Sequence, residues 1–197
     1  MENVIIYGMS GTLKATTIKS RYSSYFKVLS ETKPYFNIDK RYFNWSARSN
    51  NAHICSCRIM ILSNYLPTNR DIVCERGVTD FIFGLPDSNI SGMDSYDLID
   101  INGLSELESN LLCNSNNSPI RKVLLVMKDE DFIINEVLSG KDSYYRKRLY
   151  PDLDTYIKKQ DEYIDFTCKY NLINEVVPIL NARDYIENEL NLSYYEK

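Results

Sequence analysis

The stretch that most constrains this chain lies near its amino end: Asn3-Val4-Ile5-Ile6-Tyr7-Gly8-Met9-Ser10-Gly11-Thr12-Leu13-Lys14-Ala15-Thr16-Thr17. A short, continuously apolar run ending at a glycine reads as a strand buried on both faces, as strands of a parallel sheet are. Gly8 and Gly11 permit a tight turn, and the residues from Lys14 onward can open a helix. Strand, turn, lysine and helix in that order place backbone N–H groups, a helix N-terminus and an ammonium around one point, where an anion fits. The phosphate-loop pattern G-x-x-x-x-G-K-[ST] is met by Gly8 and Lys14, whereas Leu13 replaces its second glycine and Ala15 its Mg²⁺-binding hydroxyl. Thr16 supplies a hydroxyl if the register shifts by one. A plain strand-turn-helix, with both glycines serving only the turn, is the competing reading.

The rest of the chain alternates in the same way. Helix is expected from Lys14 to about Ser24, strand over Phe26–Ser30 closing at Glu31, and helix over Asn50–Leu66 ahead of Pro67. Asp71–Cys74 reads as a strand delivering Glu75 and Arg76 at its carboxyl end. Pro86 to Pro119 is rich in Asp, Ser, Asn and Gly, so variable, partly mobile structure is expected there around a helical piece at Leu104–Leu112. A strand at Val123–Met127, a short helix at Asp131–Leu138 stopped by Gly140, and a basic cluster within Tyr144–Tyr150 follow. Then come a long helix at Leu153–Tyr170, an edge strand at Ile173–Leu180 carrying Pro178, and a closing helix at Ala182–Leu190. Strands alternating with helices predict an α/β fold, a doubly wound parallel sheet with helices on both faces. Ligands of such sheets gather at the carboxyl ends of the strands, where Gly8–Lys14, Glu31 and Glu75-Arg76 all fall.

Composition removes several function classes. The 197 residues suit one domain, and 44% apolar with 25% charged residues describes a folded globular chain. A net charge of −4 argues against a general nucleic-acid binder. Five cysteines, among them the closely spaced Cys55 and Cys57, form no disulfide or zinc framework and read as reduced thiols of a cytoplasmic protein. His53 is the one histidine, which removes Ser-His-Asp and Cys-His catalysis. Met1-Glu2-Asn3 lacks the basic start of a signal peptide, and no apolar run reaches the roughly 18 residues of a membrane span. The wealth of Asn, Ile, Tyr and Lys is the bias of an AT-rich coding genome, such as that of a phage or a low-GC bacterium.

Taken in order, these elements resemble the P-loop nucleoside and nucleotide kinases, the thymidylate kinase and deoxynucleoside kinase group in particular. Gly8-Met9-Ser10-Gly11-Thr12-Leu13-Lys14-Ala15-Thr16 lies over the group's loop, G-x-[DS]-G-x-G-K-[ST]-T. The resemblance implies a three-layer P-loop kinase fold over residues 1–197 with a lid near 139–151. It also implies ATP and Mg²⁺ as cofactors, a nucleotide substrate, and a homodimer formed through helices beside the sheet. Gly8, Ser10, Gly11, Thr12, Leu13, Lys14, Ala15 and Thr16 would hold the nucleotide, with Lys14, taken to be exposed, on its β- and γ-phosphates. Glu31 would orient or deprotonate the acceptor oxygen. Glu75-Arg76-Gly77-Val78-Thr79-Asp80 matches the acid-plus-arginine hallmark after the third strand. Glu75 and Thr16 would serve Mg²⁺, and Arg76 with Arg58 would clamp the acceptor phosphate. Arg146 and Arg148, on the lid, would stabilise the transition state. Tyr35, Phe36, Phe43 and Trp45 would be available to stack a base. Each role has a plainer counterpart: Glu75-Arg76 as a surface ion pair, Arg146-Lys147-Arg148 as a solvated helix face, and the four aromatic residues as core. Leu13 and Ala15 keep open a second reading, a catalytically impaired kinase-fold protein that binds nucleotide or another protein. Transfer to a polynucleotide end is a third, disfavoured by the acidic balance.

Overall fold

The computed structural model describes residues 2–22, 25–29, 59–60, 70–83, 100–140 and 150–195. In chain order the elements are β1 (Asn3–Tyr7), α1 (Lys14–Thr17, continued by a π-helical stretch at Ile18–Tyr22), β2 (Lys27–Leu29) and β3 (Ile72–Glu75). Then follow α2 (Val78–Phe83), α3 (Ile101–Asn116), β4 (Ile120–Met127) and α4 (Glu130–Phe132, continued as π-helix at Ile133–Leu138). The chain closes with α5 (Leu153–Lys169), β5 (Glu175–Ile179) and α6 (Ala182–Tyr195). No helix among the described residues is long and apolar enough to cross a membrane.

The five strands among the described residues are all parallel, in the order β2-β3-β1-β4-β5. Right-handed crossovers therefore send the β1-to-β2 connection to one face and the helices that join β3 to β4 and β4 to β5 to the other. The packing agrees: α6 lies on α1 and its π-helical extension, α2 lies on α3, and α5 lies on the π-helical part of α4. This is the doubly wound α/β fold expected from the alternation. Because β1 and β3 are neighbours whose connections leave on opposite faces, a crevice opens at their carboxyl ends.

The central strand is buried along its whole length, including Asn3, which is 0% exposed. Its amide is nevertheless satisfied: Nδ2 donates to the carbonyls of Leu112 and Ser118, and Oδ1 accepts from Ile72 N. One polar side chain thus aligns the starts of β1 and β3 under α3, at no cost in unpaired groups. At the other end Gln160 of α5 clamps Met127, accepting from its N–H at 2.8 Å and donating to its carbonyl at 2.9 Å. β5 is an edge strand, which is why it tolerates Pro178.

The largest boundary differences from the sequence reading are three. The helical piece at 104–112 is the middle of a regular helix from Ile101 to Asn116, started by Asp100, whose side chain accepts from Gly103 N. Burial of Ile101, Ser105, Glu108 and Leu112 on one face outweighs the turn-forming composition. β4 begins three residues earlier than Val123, because Arg121 bonds Glu175 of β5 and Lys122 donates to Ser105 of α3. α6 runs past Leu190 to Tyr195.

Candidate phosphate-binding site

The turn after β1 wraps around its own lysine. Gly8 has φ 148° and Gly11 φ 90°, conformations that L side chains avoid. A Cβ on Gly8 would also run into Thr12 Oγ1 and to within 2.9 Å of the Leu125 carbonyl oxygen, and one on Gly11 would run into the methyl groups of Val137. Lys14 is 5% exposed, contrary to the exposed side chain expected. Its Nζ donates to Gly8 O at 2.8 Å and Met9 O at 2.6 Å, with Thr12 Oγ1 at 3.4 Å. Two carbonyls of its own turn replace part of the hydration that the ammonium gives up. Among the described residues, no main-chain carbonyl accepts from the amides of Ser10, Gly11 or Leu13.

Leu13, where the motif has glycine, sits at φ 56°, ψ 23° and forms the N-cap of α1 without a side-chain cap. A left-handed non-glycine residue costs roughly 1–2 kcal/mol. The half-buried Leu13 side chain packs against the core, which offsets part of that cost. Ala15 is exposed and Thr16 half-buried, directly after the lysine. Thr17 is engaged elsewhere: its Oγ1 donates to Leu13 O and lies 2.7 Å from Tyr185 Oη of α6.

From the neighbouring strand, Glu75 stands opposite Ile6 at the end of β3, and Arg76 follows at φ 67°. Arg76 N donates to Ile6 O, and its Nη1 donates to Gly8 O at 3.2 Å. Two cations from segments more than 60 residues apart therefore converge on one carbonyl.

Asp80, on the first turn of α2, interacts electrostatically with both cations. Its Oδ2 accepts from Gly77 N at 3.2 Å, and its buried Oδ1 has no hydrogen-bond partner. Burial pushes the carboxyl up to about 6, against the pull of Arg76, Lys14 and the amides of Gly77 and Gly8. The start of α2 is held by Glu108 of α3, 0% exposed, whose two carboxylate oxygens accept from Val78 N at 3.2 and 3.1 Å.

The outer side of the turn is held from α5: the buried Tyr156 donates its hydroxyl to Ser10 O at 3.0 Å. The structure thus brings Gly8, Ser10, Gly11, Thr12, Leu13, Lys14 and Arg76 together, with Ala15, Thr16 and Glu75 adjacent. Glu31, Arg58, Arg146 and Arg148 lie outside the described residues, as do Tyr35, Phe36, Phe43, Trp45, His53, Cys55 and Cys57. Asp80 and Tyr156 enter from the structure. The spacing Gly77-Val78-Thr79-Asp80 is that of an acid reaching back to a helix N-cap, a signal visible in the sequence. Tyr156 is one of 16 tyrosines, and nothing local distinguishes it.

A parallel sheet in this strand order, with a lysine-bearing turn after its central strand, decides the architecture. The fold is that of the P-loop kinases. The chain is similar to thymidylate kinase from Candida albicans, 13% identical, with 99% of this chain and 92% of that one covered and a TM-score of 0.55. It is also similar to shikimate kinase from Bacteroides thetaiotaomicron, 12% identical, with 99% and 97% covered and a TM-score of 0.48. No protein-family model and no curated protein matches the sequence.

As to metal, no cluster of three or more His, Cys, Asp or Glu that could hold an ion occurs among the described residues. Ala15 lacks a hydroxyl and Thr17 is turned to Tyr185; among the described residues Thr16, Glu75 and Asp80 are oxygen-bearing side chains beside the loop.

Proposed function

We propose that this chain is a nucleotide kinase, moving the γ-phosphate of Mg-ATP to a (deoxy)nucleoside monophosphate, in the manner of a thymidylate kinase. The observation that carries the proposal is the convergence of Lys14 Nζ and Arg76 Nη1 on Gly8 O, beside turn amides that no main-chain carbonyl uses. Phosphoryl transfer demands little covalent help from a protein; it demands positioning and cations placed where charge migrates. Lys14 would exchange its bonds to Gly8 O and Met9 O for the donor's β- and γ-phosphates. Arg76 would hold the acceptor phosphate from the side of β3, its guanidinium bonding two oxygens at once. Mg²⁺ bound to the donor would neutralise its phosphates, with Thr16 and Glu75 as side-chain partners. Arg58, Glu31, Arg146 and Arg148 are assigned to the acceptor and the transition state by resemblance alone.

The test is a transfer assay with Mg-ATP and each common nucleoside monophosphate and nucleoside. Mg²⁺-dependent formation of a diphosphate from one monophosphate is expected. Failure with every acceptor, at millimolar ATP and micromolar protein, would remove the proposal. Leu13 and Ala15 favour a second reading, a protein that retains the fold and binds nucleotide or a protein partner without transfer. ATP binding without turnover on any acceptor would single that one out.

A further inference from the structure

From the bond between α5 and the turn, we infer that Tyr156 is a positioning residue, setting the Ser10–Gly11 peptide so that the Gly11 amide is presented to a polyphosphate; this rests on the phosphate-binding reading above. A trans peptide is planar, and its C=O and N–H point in opposite directions. The described residues contain no cis peptide bond. Tyr156 Oη draws the Ser10 carbonyl toward α5 at 3.0 Å, so the Gly11 N–H is aimed away from α5, back across the turn. No main-chain carbonyl among the described residues accepts from that amide. Without the tyrosine hydroxyl, a glycine at φ 90° has little to keep its peptide from rotating.

Two further contacts make the support rigid. Gly11 sits against Val137, which is 1% exposed on the π-helical part of α4, so the turn cannot move outward. The Tyr156 ring, 0% exposed, meets Tyr150 edge to face at 5.3 Å between centroids, fixing the angle from which its hydroxyl approaches. Val137 and Tyr150 lie on the two sides of segment 141–149 in the chain. The turn is therefore braced by the residues that flank that segment as well as by its own lysine.

The experiment titrates inorganic tripolyphosphate into ¹⁵N-labelled wild-type, Tyr156→Phe and Tyr163→Phe proteins, following the Gly11 amide and the dissociation constant. Phenylalanine keeps the ring and its packing; Tyr163, buried seven residues further along α5, controls for loss of a hydroxyl from that helix. In the wild type the Gly11 amide proton should move downfield on binding. In Tyr156→Phe that movement should shrink, and affinity should fall roughly five- to tenfold, the worth of one hydrogen bond. Tyr163→Phe should match the wild type in both. An unchanged Gly11 response and affinity in Tyr156→Phe would overturn the inference while leaving the kinase proposal standing. Equal losses in both variants would also overturn it, showing a general softening of α5. Absence of tripolyphosphate binding to the wild type would overturn both.

Discussion

Two carboxylates at the carboxyl end of the sheet, Asp80 and Asp129, are placed in opposite ways. Asp129 follows β4 and is saturated: Oδ1 accepts from Phe132 N at 2.9 Å and Oδ2 from Ala182 N at 2.8 Å, so one side chain caps α4 and α6 together. Those amides, Ala182 first, hold its carboxyl below the usual range. Asp80 follows β3, is buried, feels the charges of Arg76 and Lys14, and keeps Oδ1 without a hydrogen bond. The backbone shows the same division. Among the described residues, the left-handed non-glycine residues away from the crevice are Asn117 and Asn171, a residue type that tolerates this region, whereas at the crevice they are Leu13 and Arg76. Ordinary connections satisfy their groups with inexpensive residues. Strain and an under-satisfied buried carboxylate together at one crevice mark the part of the fold kept for something other than stability.

The largest effect that would break this contrast is at Lys14. Lys14→Ala should abolish detectable polyphosphate binding and also destabilise the fold by about 1–3 kcal/mol, since Gly8 O and Met9 O lose a buried donor. Urea denaturation beside a binding titration separates the two effects. Retained affinity would show that the turn is structural only.

Next in size is the pH dependence of stability. Asp80 titrates near 6 when folded and near 3.8 when unfolded, so between those values the folded state holds the extra proton. Its contribution therefore makes stability fall as pH rises from about 4 to about 6, and then level off. For Asp129 the sign is reversed: its folded carboxyl is depressed, so its contribution is present above the unfolded value and lost as pH falls through the folded one. Urea midpoints from pH 4 to 7 should show Asp80→Asn steadier than wild type across the rise, and Asp129→Asn less stable at pH 7 but converging in acid. Parallel profiles would mean the two sites are alike after all. The same ionised Asp80 opposes an anion held by Lys14 and Arg76, so polyphosphate affinity should rise from pH 7 to 6 in wild type and stay flatter in Asp80→Asn.

Smaller is the comparison of glycine with alanine at Leu13. Both substitutions lose the packed side chain, but only glycine relieves φ 56°, so Leu13→Gly should be the more stable by about 1 kcal/mol. An advantage for alanine would contradict the left-handed cap. Smallest is Asn117→Gly, expected to change stability by a few tenths of a kcal/mol.

Much of the fold was legible because burial imposes simple patterns. The run at β1, the stretch at β4 and the long periodic helix α5 are each specified by which face must be covered. The full length of α3 was not legible: Gly103, Ser105, Ser109 and Asn110 read as turn formers, and only tertiary burial makes them helical. At the site, glycine and lysine spacing exposed the turn, and Glu75-Arg76 its partner strand. What Lys14 bonds to was not legible, since its depth depends on carbonyls that only the folded turn turns inward. Tyr156 reaches Ser10 across 146 positions, a distance over which sequence spacing carries no signal.

The most direct measurement is isothermal titration of ATP, with and without Mg²⁺, into the wild-type protein. Binding in the micromolar range that strengthens with Mg²⁺ is the expected result, and it would mean that the turn functions with leucine and alanine at its altered positions. No heat at millimolar ATP, with the protein shown to be folded, would contradict the account and leave the buried lysine as a structural device.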